Sequence, residues 1–249
     1  MKSLIIGKGQ VGSGLYEVIK DYHETYIKDV EDLELEGVEI LHLCFPNSDK
    51  FIELANAYIA KYQPKLTINH ASVPVGTTEN LSGLKCYSPV RGKHPRLAGD
   101  IKIFEKFIAG DYEACQMASD YFKKCGLSVV LYDEKEKIRT LEFCKLMSNI
   151  RYGYEICFMQ EAERIAKELK VDIETFSAFE ESYNKGYRLL GQHNMIRPIL
   201  FGGSIGGHCV LQNAEIIRGQ YPSQMIDWMF FSDAVKKLDI KKETNNDPV

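Results

Sequence analysis

The chain has 249 residues, enough for one large domain or two small ones around a real core. Its 45% apolar and 27% charged residues are an ordinary balance for a globular protein in water, which argues against a disordered or fibrous chain. The net charge of -4 gives no electrostatic case for nucleic acid or an anionic membrane, and no apolar run approaches the roughly 20 residues that cross a bilayer.

Met1-Lys2 is followed by only Ser3 to Ile6 before a glycine, so the start lacks the apolar core of a secretion signal. Residues 3–6 instead read as a buried parallel strand. A helix is predicted over 10–21, with Val11, Leu15, Val18 and Ile19 on one side, and a brief strand over 25–28 ends at Asp29. A second buried run spans Val38 to Phe45 and stops at Pro46-Asn47. Helical spacing returns over 49–62. Leu66–His70 is strand-like, Thr77–Leu81 a short helix and Lys85–Ser88 a strand. Lys106–Ala109, a helix over 112–125 and Ser128–Leu131 complete an alternation that predicts a mostly parallel sheet covered on both faces.

From Lys135 the pattern turns all-helical. Residues 137–169 keep helical spacing without a proline, longer than most globular helices. A second helix is predicted over 173–189, then a glycine-rich stretch to Gly207 and a helix over 210–218. The polar end, 241–249, reads as a disordered tail. The organisation expected is a sheet domain over 1–134, a helical domain for substrate and dimerisation over 135–240, and that tail.

The first loop is Gly7-Lys8-Gly9-Gln10-Val11-Gly12. It directly follows a strand and opens a helix, and an acid, Asp29, ends the next strand about 20 residues on, the context of a dinucleotide-binding turn. The first glycine permits the tight turn, the second lets backbone approach a pyrophosphate, and the third lets helix pack on strand. The helix N-terminus offers free N–H groups to the phosphates. A carboxylate at Asp29 accepts both adenosine ribose hydroxyls and repels a 2′-phosphate, so NAD is expected rather than NADP. Lys28, next to it, argues mildly the other way. Pro46 and Ser72, which follow the next two strands, are placed at the same cofactor. The fold expected is α/β, a Rossmann-like doubly wound sheet followed by a helical domain with a long central helix. The interval from Asp29 to Val38 is too short for another helix and strand, so the first half of the sheet is expected to be trimmed.

Three more segments carry chemistry. They are Ser72-Val73-Pro74-Val75-Gly76-Thr77-Thr78 after a strand, Glu142-Phe143-Cys144-Lys145-Leu146-Met147-Ser148-Asn149 in the long helix, and Gly202-Gly203-Ser204-Ile205-Gly206-Gly207-His208-Cys209. Helical spacing puts Glu142, Lys145 and Asn149 on one face. Cys209 opens a helical run, where a thiol is activated as a nucleophile. The competing reading makes it a small core residue like the other six cysteines. The seven cysteines are odd in number and contain no CxxC pair, so neither a disulfide framework nor a metal site is expected and a reducing cytoplasm fits. His42 and His70 lie on strands and read as core histidines.

Over about residues 1–217 these segments, in this order, resemble the UDP-glucose/GDP-mannose dehydrogenase family. The most specific matches are the Ser-Val-Pro-Val-Gly-Thr-Thr run, Glu-x-x-Lys-x-x-x-Asn with Gln160-Glu161 after it, and Gly-Gly-His-Cys. The resemblance implies Cys209 as nucleophile, Lys145 and Asn149 as oxyanion and water partners, and Ser72 as a hydroxyl that holds the water. The departures are informative. Val90 stands where the family has the glutamate that drives thioester hydrolysis, His94 where it has a second acid, and Asn213 where it has an aspartate. The family's C-terminal nucleotide-binding domain has no counterpart here. Arg91, Lys93 and His94, together with His208, are expected to contact an anionic small-molecule substrate. Two alternatives stay open: a two-electron hydroxyacid-type dehydrogenase or reductase with Lys145 as acid/base, and a non-catalytic NAD-binding protein. A homodimer through helix 137–169 is expected, because Ile156, Phe158 and Ile165 would be left partly bare.

Overall fold

The computed structural model describes residues 1–93, 95–206 and 209–245. The chain divides into two compact units, Met1–Lys145 and Leu146–Val249.

The first unit is built on seven strands: β1 (Lys2–Ile6), β2 (Glu24–Lys28), β3 (Ile40–Leu43), β4 (Leu66–Asn69), β5 (Lys85–Tyr87), β6 (Lys106–Gly110) and β7 (Val129–Tyr132). Their order is β2-β1-β3-β4-β5-β6-β7, parallel throughout except for the antiparallel β5/β6 pair. Helices α1 (Gln10–Ile19), α2 (Phe51–Tyr62), α3 (Leu97–Ile103) and α4 (Tyr112–Lys124) flank the sheet. Strand residues alternate between the faces, as the two-residue period requires. Ile5, Ile40, Ile68 and Ile108 join Leu15, Val18 and Phe122 in one core. Leu4, Ile6, Leu41 and Leu43 join Phe51, Ala55 and Ile59 in the other. Only residues 29–39 separate β2 from β3, so nothing pairs outside β2 and the sheet is trimmed there as the spacing predicted.

Helix α5 (Lys137–Leu169) is continuous over 33 residues. Ile138 and Leu141 pack into the second core of the sheet, which explains why the first unit extends to Lys145 rather than ending at residue 134. The rest of α5 lies in the second unit with α6 (Ile173–Leu189), α7 (Cys209–Gln220) and α8 (Gln224–Asn245). Among the described residues no strand follows β7. Two elements depart from the sequence reading. Helix α3 occupies part of what read as loop, and α8 carries helix to Asn245, into the segment expected to be a tail. Ile226, Met229, Ser232 and Asp233 of α8 are buried, all in its first half.

Candidate functional site

The turn after β1 is closed in two places and open in one. Gly7 has φ +107°, and a Cβ there would come within 2.9 Å of the Cys44 carbonyl and the Phe45 nitrogen. A Cβ on Gly12 would overlap the Gly7 carbonyl oxygen. A Cβ on Gly9 would meet nothing within 4 Å. The strand-side glycines are thus fixed by backbone packing, and the middle one faces free space. Gly9 is also the N-cap of α1, with no side-chain cap and no acid in the first turn, so the helix end is free to receive an anion. The turn sits where the order reverses, between β1 and β3, the crevice in which doubly wound sheets bind ligands. This geometry fits a dinucleotide.

Asp29 follows β2 directly and is exposed. Lys28 is turned inward: its amine donates to the Asp29 carbonyl at 3.0 Å and lies 4.8 Å from the Tyr58 ring centroid. Its charge is therefore engaged by its own neighbours. Glu31 links the loops that follow β1 and β2. It pairs with Lys8 of the turn and accepts from the Asp29 backbone N–H at 3.1 Å. The Lys8 hydrogen bond is the main cause that holds the Glu31 carboxyl down at about 2. Pro46 is exposed just past β3.

The 70–78 loop, which carries half-buried Ser72, is pinned from three directions. Asn69 accepts from the Ala71 N–H and donates to Thr78 Oγ1, and Tyr87 donates to the Ala71 carbonyl. Glu142, fully buried on α5, accepts from the Gly76 N–H at 2.6 Å and the Thr78 N–H at 2.8 Å. Burial is the largest influence on its carboxyl and pushes it above the usual range, against those hydrogen bonds. Glu142 is thus a loop anchor.

Lys145, one turn further along α5, is half-buried and donates to the Val90 carbonyl at 2.9 Å. Val90 itself is 4% exposed and belongs to the core, so an apolar side chain fills the place of the family's glutamate. Arg91 is exposed and partly engaged. Its guanidinium donates to the Glu105 carbonyl at 2.7 Å and stacks over Phe104 and Phe107. Arg96 pairs with Asp100, and Asp100 also accepts from the Lys93 backbone N–H. His94 lies outside the described residues.

In the second unit the glycine-rich loop is held by side chains. Gln160 donates to the Gly203 carbonyl at 2.8 Å, Glu163 accepts from the Gly202 N–H at 3.1 Å, and buried Asp233 accepts from the Ile205 N–H at 2.6 Å. Ser232 donates to Gln160 Oε1, and Lys236 pairs with Glu163. Cys209 is the first residue of α7 and is exposed. That overturns the reading of Cys209 as a core residue. It also corrects the grouping of the other six, because Cys144 is exposed as well. Burial holds the thiols of Cys115, Cys125 and Cys157 up at about 11 and Cys44 at about 12, which leaves them unreactive. Asn149 is half-buried on α5 in this unit, and Asn213 is buried on α7. His208 lies outside the described residues. Among the described residues no group of three His, Cys, Asp or Glu side chains could hold a metal.

No family model matches the sequence, and no curated protein matches it. Solved structures do. A UDP-N-acetyl-mannosamine dehydrogenase from Staphylococcus aureus superposes with a TM-score of 0.75 at 14% identity, over 98% of this chain and 70% of that one. A UDP-D-ManNAc dehydrogenase from Pyrococcus horikoshii gives 0.66 at 16% identity, over 95% and 68%. A 3-hydroxyisobutyrate dehydrogenase from Mycobacterium tuberculosis gives 0.67 at 10% identity, over 95% and 92%. The fold is that of these dehydrogenases. The resemblance read from the sequence motifs thus meets the same architecture in three dimensions.

Sequence reasoning missed Glu31, Glu163, Ser232 and Asp233. Each acts through a partner chosen by tertiary packing, for which a linear motif carries no signal. It also missed a chain of buried polar groups behind the sheet. His42 and His70 contact each other at 3.0 Å, His42 contacts the Tyr121 hydroxyl at 3.1 Å, and Tyr121 reaches Ser3 Oγ at 2.8 Å. The reading of both histidines as satisfied core residues holds. Desolvation pushes His42 down to about 3 and His70 well below its ordinary value, so both are neutral.

Proposed function

We propose that this protein binds NAD(H) in the crevice between β1 and β3 and oxidises a CH–OH group of a small, anionic substrate, or reduces the corresponding carbonyl. One observation carries the reading: Gly7 and Gly12 are closed by backbone contact while Gly9 opens onto free space at the uncapped start of α1, with Asp29 at the end of β2. The cofactor supplies the acceptor for the hydrogen leaving the alcohol carbon. Gly9 and the free N–H groups of α1 receive its pyrophosphate, and Asp29 accepts from its ribose hydroxyls. Beside the Val90 carbonyl, Lys145 takes the hydroxyl proton as the neutral amine or, as the ammonium, stabilises the developing alkoxide.

A second step, attack of the Cys209 thiolate on an aldehyde and hydrolysis of the resulting thioester, is the alternative that the motif resemblance suggests. The core position of Val90 argues that this second half-reaction lacks its base. General-base help is worth about 10²–10⁴ in rate. The reading therefore favours release after one oxidation step, with Lys145 as the essential group. The test is NAD⁺ reduction across nucleotide sugars, sugar phosphates and hydroxyacids, with intact-mass detection of an acyl-enzyme. At most one NADH per substrate supports the reading, and two NADH with fast carboxylate release refutes it. Full activity in Cys209→Ser with loss in Lys145→Met assigns the chemistry to the lysine. Calorimetry showing no NAD(H) binding, or tighter NADP(H) binding, overturns the cofactor assignment.

We also propose a homodimer through α5. Phe158 and Ile165 stay exposed and line an apolar groove with Val171 and Phe176. Ile156, expected to be bare, is 8% exposed because it packs inside its own unit. A monomer mass by light scattering at tens of micromolar would overturn this.

A further inference from the structure

Three successive carbonyls in the turn after β5 are each taken by a lysine. Lys106 Nζ donates to the Ser88 carbonyl at 2.8 Å and to the Pro89 carbonyl at 3.0 Å. Lys145 Nζ donates to the Val90 carbonyl at 2.9 Å. Lys106 opens β6 and is 3% exposed, with its amine 5.3 Å from the Phe122 ring centroid and 3.4 Å from His70 Nδ1. The charged groups that face it are both cations, Lys145 on α5 and Arg91 after β5. The other titratable groups around it are Cys44 beyond β3, Cys86 on β5 and His70 beyond β4, with His42 and Tyr121 behind His70.

A buried ammonium without a carboxylate must gather neutral acceptors or give up its proton. Lys106 gathers two main-chain carbonyls, and so constrains the turn that supplies them. Its two ends are held elsewhere, Ser88 by its N–H on the Asn69 carbonyl and its hydroxyl on the Phe107 carbonyl and Val90 by the core, but Pro89 between them has no N–H, so Lys106 is what ties its carbonyl. We propose that Lys106 is a positioning residue for Lys145: it fixes the turn whose next carbonyl receives the Lys145 ammonium.

The state of Lys106 is legible in its neighbours. Burial brings this lysine down to about 7, so its proton comes and goes near neutrality. A charged Lys106 has a third N–H, which faces His70 Nδ1. Donation from that N–H requires a bare Nδ1, at the cost of its 2.5 Å contact with the Ser88 carbonyl; His70 and His42 then both carry their hydrogens on Nε2, and Tyr121 donates to Ser3. A neutral Lys106 has no third donor. His70 then carries its hydrogen on Nδ1 toward the Ser88 carbonyl, and every link of the chain reverses. The histidine tautomers therefore report the lysine's proton.

The effect on activity rests on the reading of Lys145 given above, whereas the positioning itself can be measured without turnover. The experiment compares wild type, Lys106→Met and Pro89→Gly by lysine methylation with peptide mass spectrometry, by ¹⁵N imidazole NMR from pH 6 to 9, and by kcat and KM. In the wild type both histidines should change tautomer together across neutral pH. In Lys106→Met the change should vanish and Lys145 should label several-fold faster. Its kcat should fall about 10- to 100-fold, as for a misplaced reacting group, with a smaller change in KM. Pro89→Gly frees the turn while keeping the ammonium and should speed Lys145 labelling in the same direction. It decides the matter if Lys106→Met does not fold. Unchanged Lys145 labelling in a folded variant overturns the proposal. If labelling shifts but Lys145→Met stays fully active, the positioning stands and the role given to Lys145 falls. If Lys145→Met is inactive and Lys106→Met behaves as wild type, the reverse holds.

Discussion

The molecule has two glycine-rich segments that look alike in sequence and are made differently. The turn over residues 7–12 is shaped by its own backbone: Gly7 needs a positive φ, and Gly7 and Gly12 have no room for a side chain. In the loop over residues 202–206 no glycine has a positive φ, and Gly203 and Gly206 have nothing within 4 Å of a Cβ. That loop takes its form from Gln160, Glu163 and Asp233, which grip its main-chain groups from two helices. In the first segment glycine is required by contact. In the second, Gly202 is closed by the Glu163 carboxyl rather than by backbone, glycine at 203 and 206 leaves backbone uncovered, and the shape is imposed from outside.

The strongest way to break this comparison is Gly12→Val. A side chain there meets the Gly7 carbonyl, so overpacking should remove about 3 kcal/mol or more of stability and abolish NAD binding. Gly203→Ala should leave both nearly unchanged. Thermal melts with cofactor calorimetry check the pair.

Next in size is a pH effect confined to the first unit. His42 and His70 are neutral when folded, and each gains a proton below about 6.5 when unfolded. The unfolded state then binds more protons, so stability should fall as pH drops below about 6.5, by about 1.4 kcal/mol per pH unit for each histidine. Urea denaturation at pH 7.5, 6 and 5 measures this, and a flat profile would contradict it.

Asp233→Ala tests the second segment. It strips the Ile205 N–H of its acceptor and should cost about 1–3 kcal/mol. Hydrogen exchange should rise at residues 202–206 and stay the same at the 7–12 turn. The smallest expected effect on folding is that of Asp29→Ala. The residue is exposed, so stability should move by less than about 0.5 kcal/mol. The preference for NAD over NADP should nevertheless collapse in calorimetry.

The same contrast explains what the sequence made legible. Strands, most helices, the trimmed first half of the sheet and the closed glycine turn after β1 follow from local period and from glycines whose requirement is local. Helix α5 emerged with its true ends, because helical spacing persists along its whole length and no proline interrupts it. The anchors did not emerge. Glu142 read only as a neighbour of Lys145 and Asn149 on one helix face, yet it serves the backbone of a loop more than sixty residues earlier. Arg91 read as an anion clamp, and nothing in the sequence signalled that one of its N–H groups goes to a carbonyl and its plane to two phenylalanines. Lys106 read only as the start of a strand. In each case the side chain's task is set by what the fold brings beside it.

The hydroxyl contact between Tyr121 and Ser3 joins residues 118 apart in the chain. A contact between residues so far apart carries a large loop-closure cost, so it should be absent from the rate-limiting barrier to folding. Removing the Tyr121 hydroxyl should then leave the refolding rate unchanged and let the native state open faster, so that this buried chain acts as a late latch on the lifetime of the folded unit.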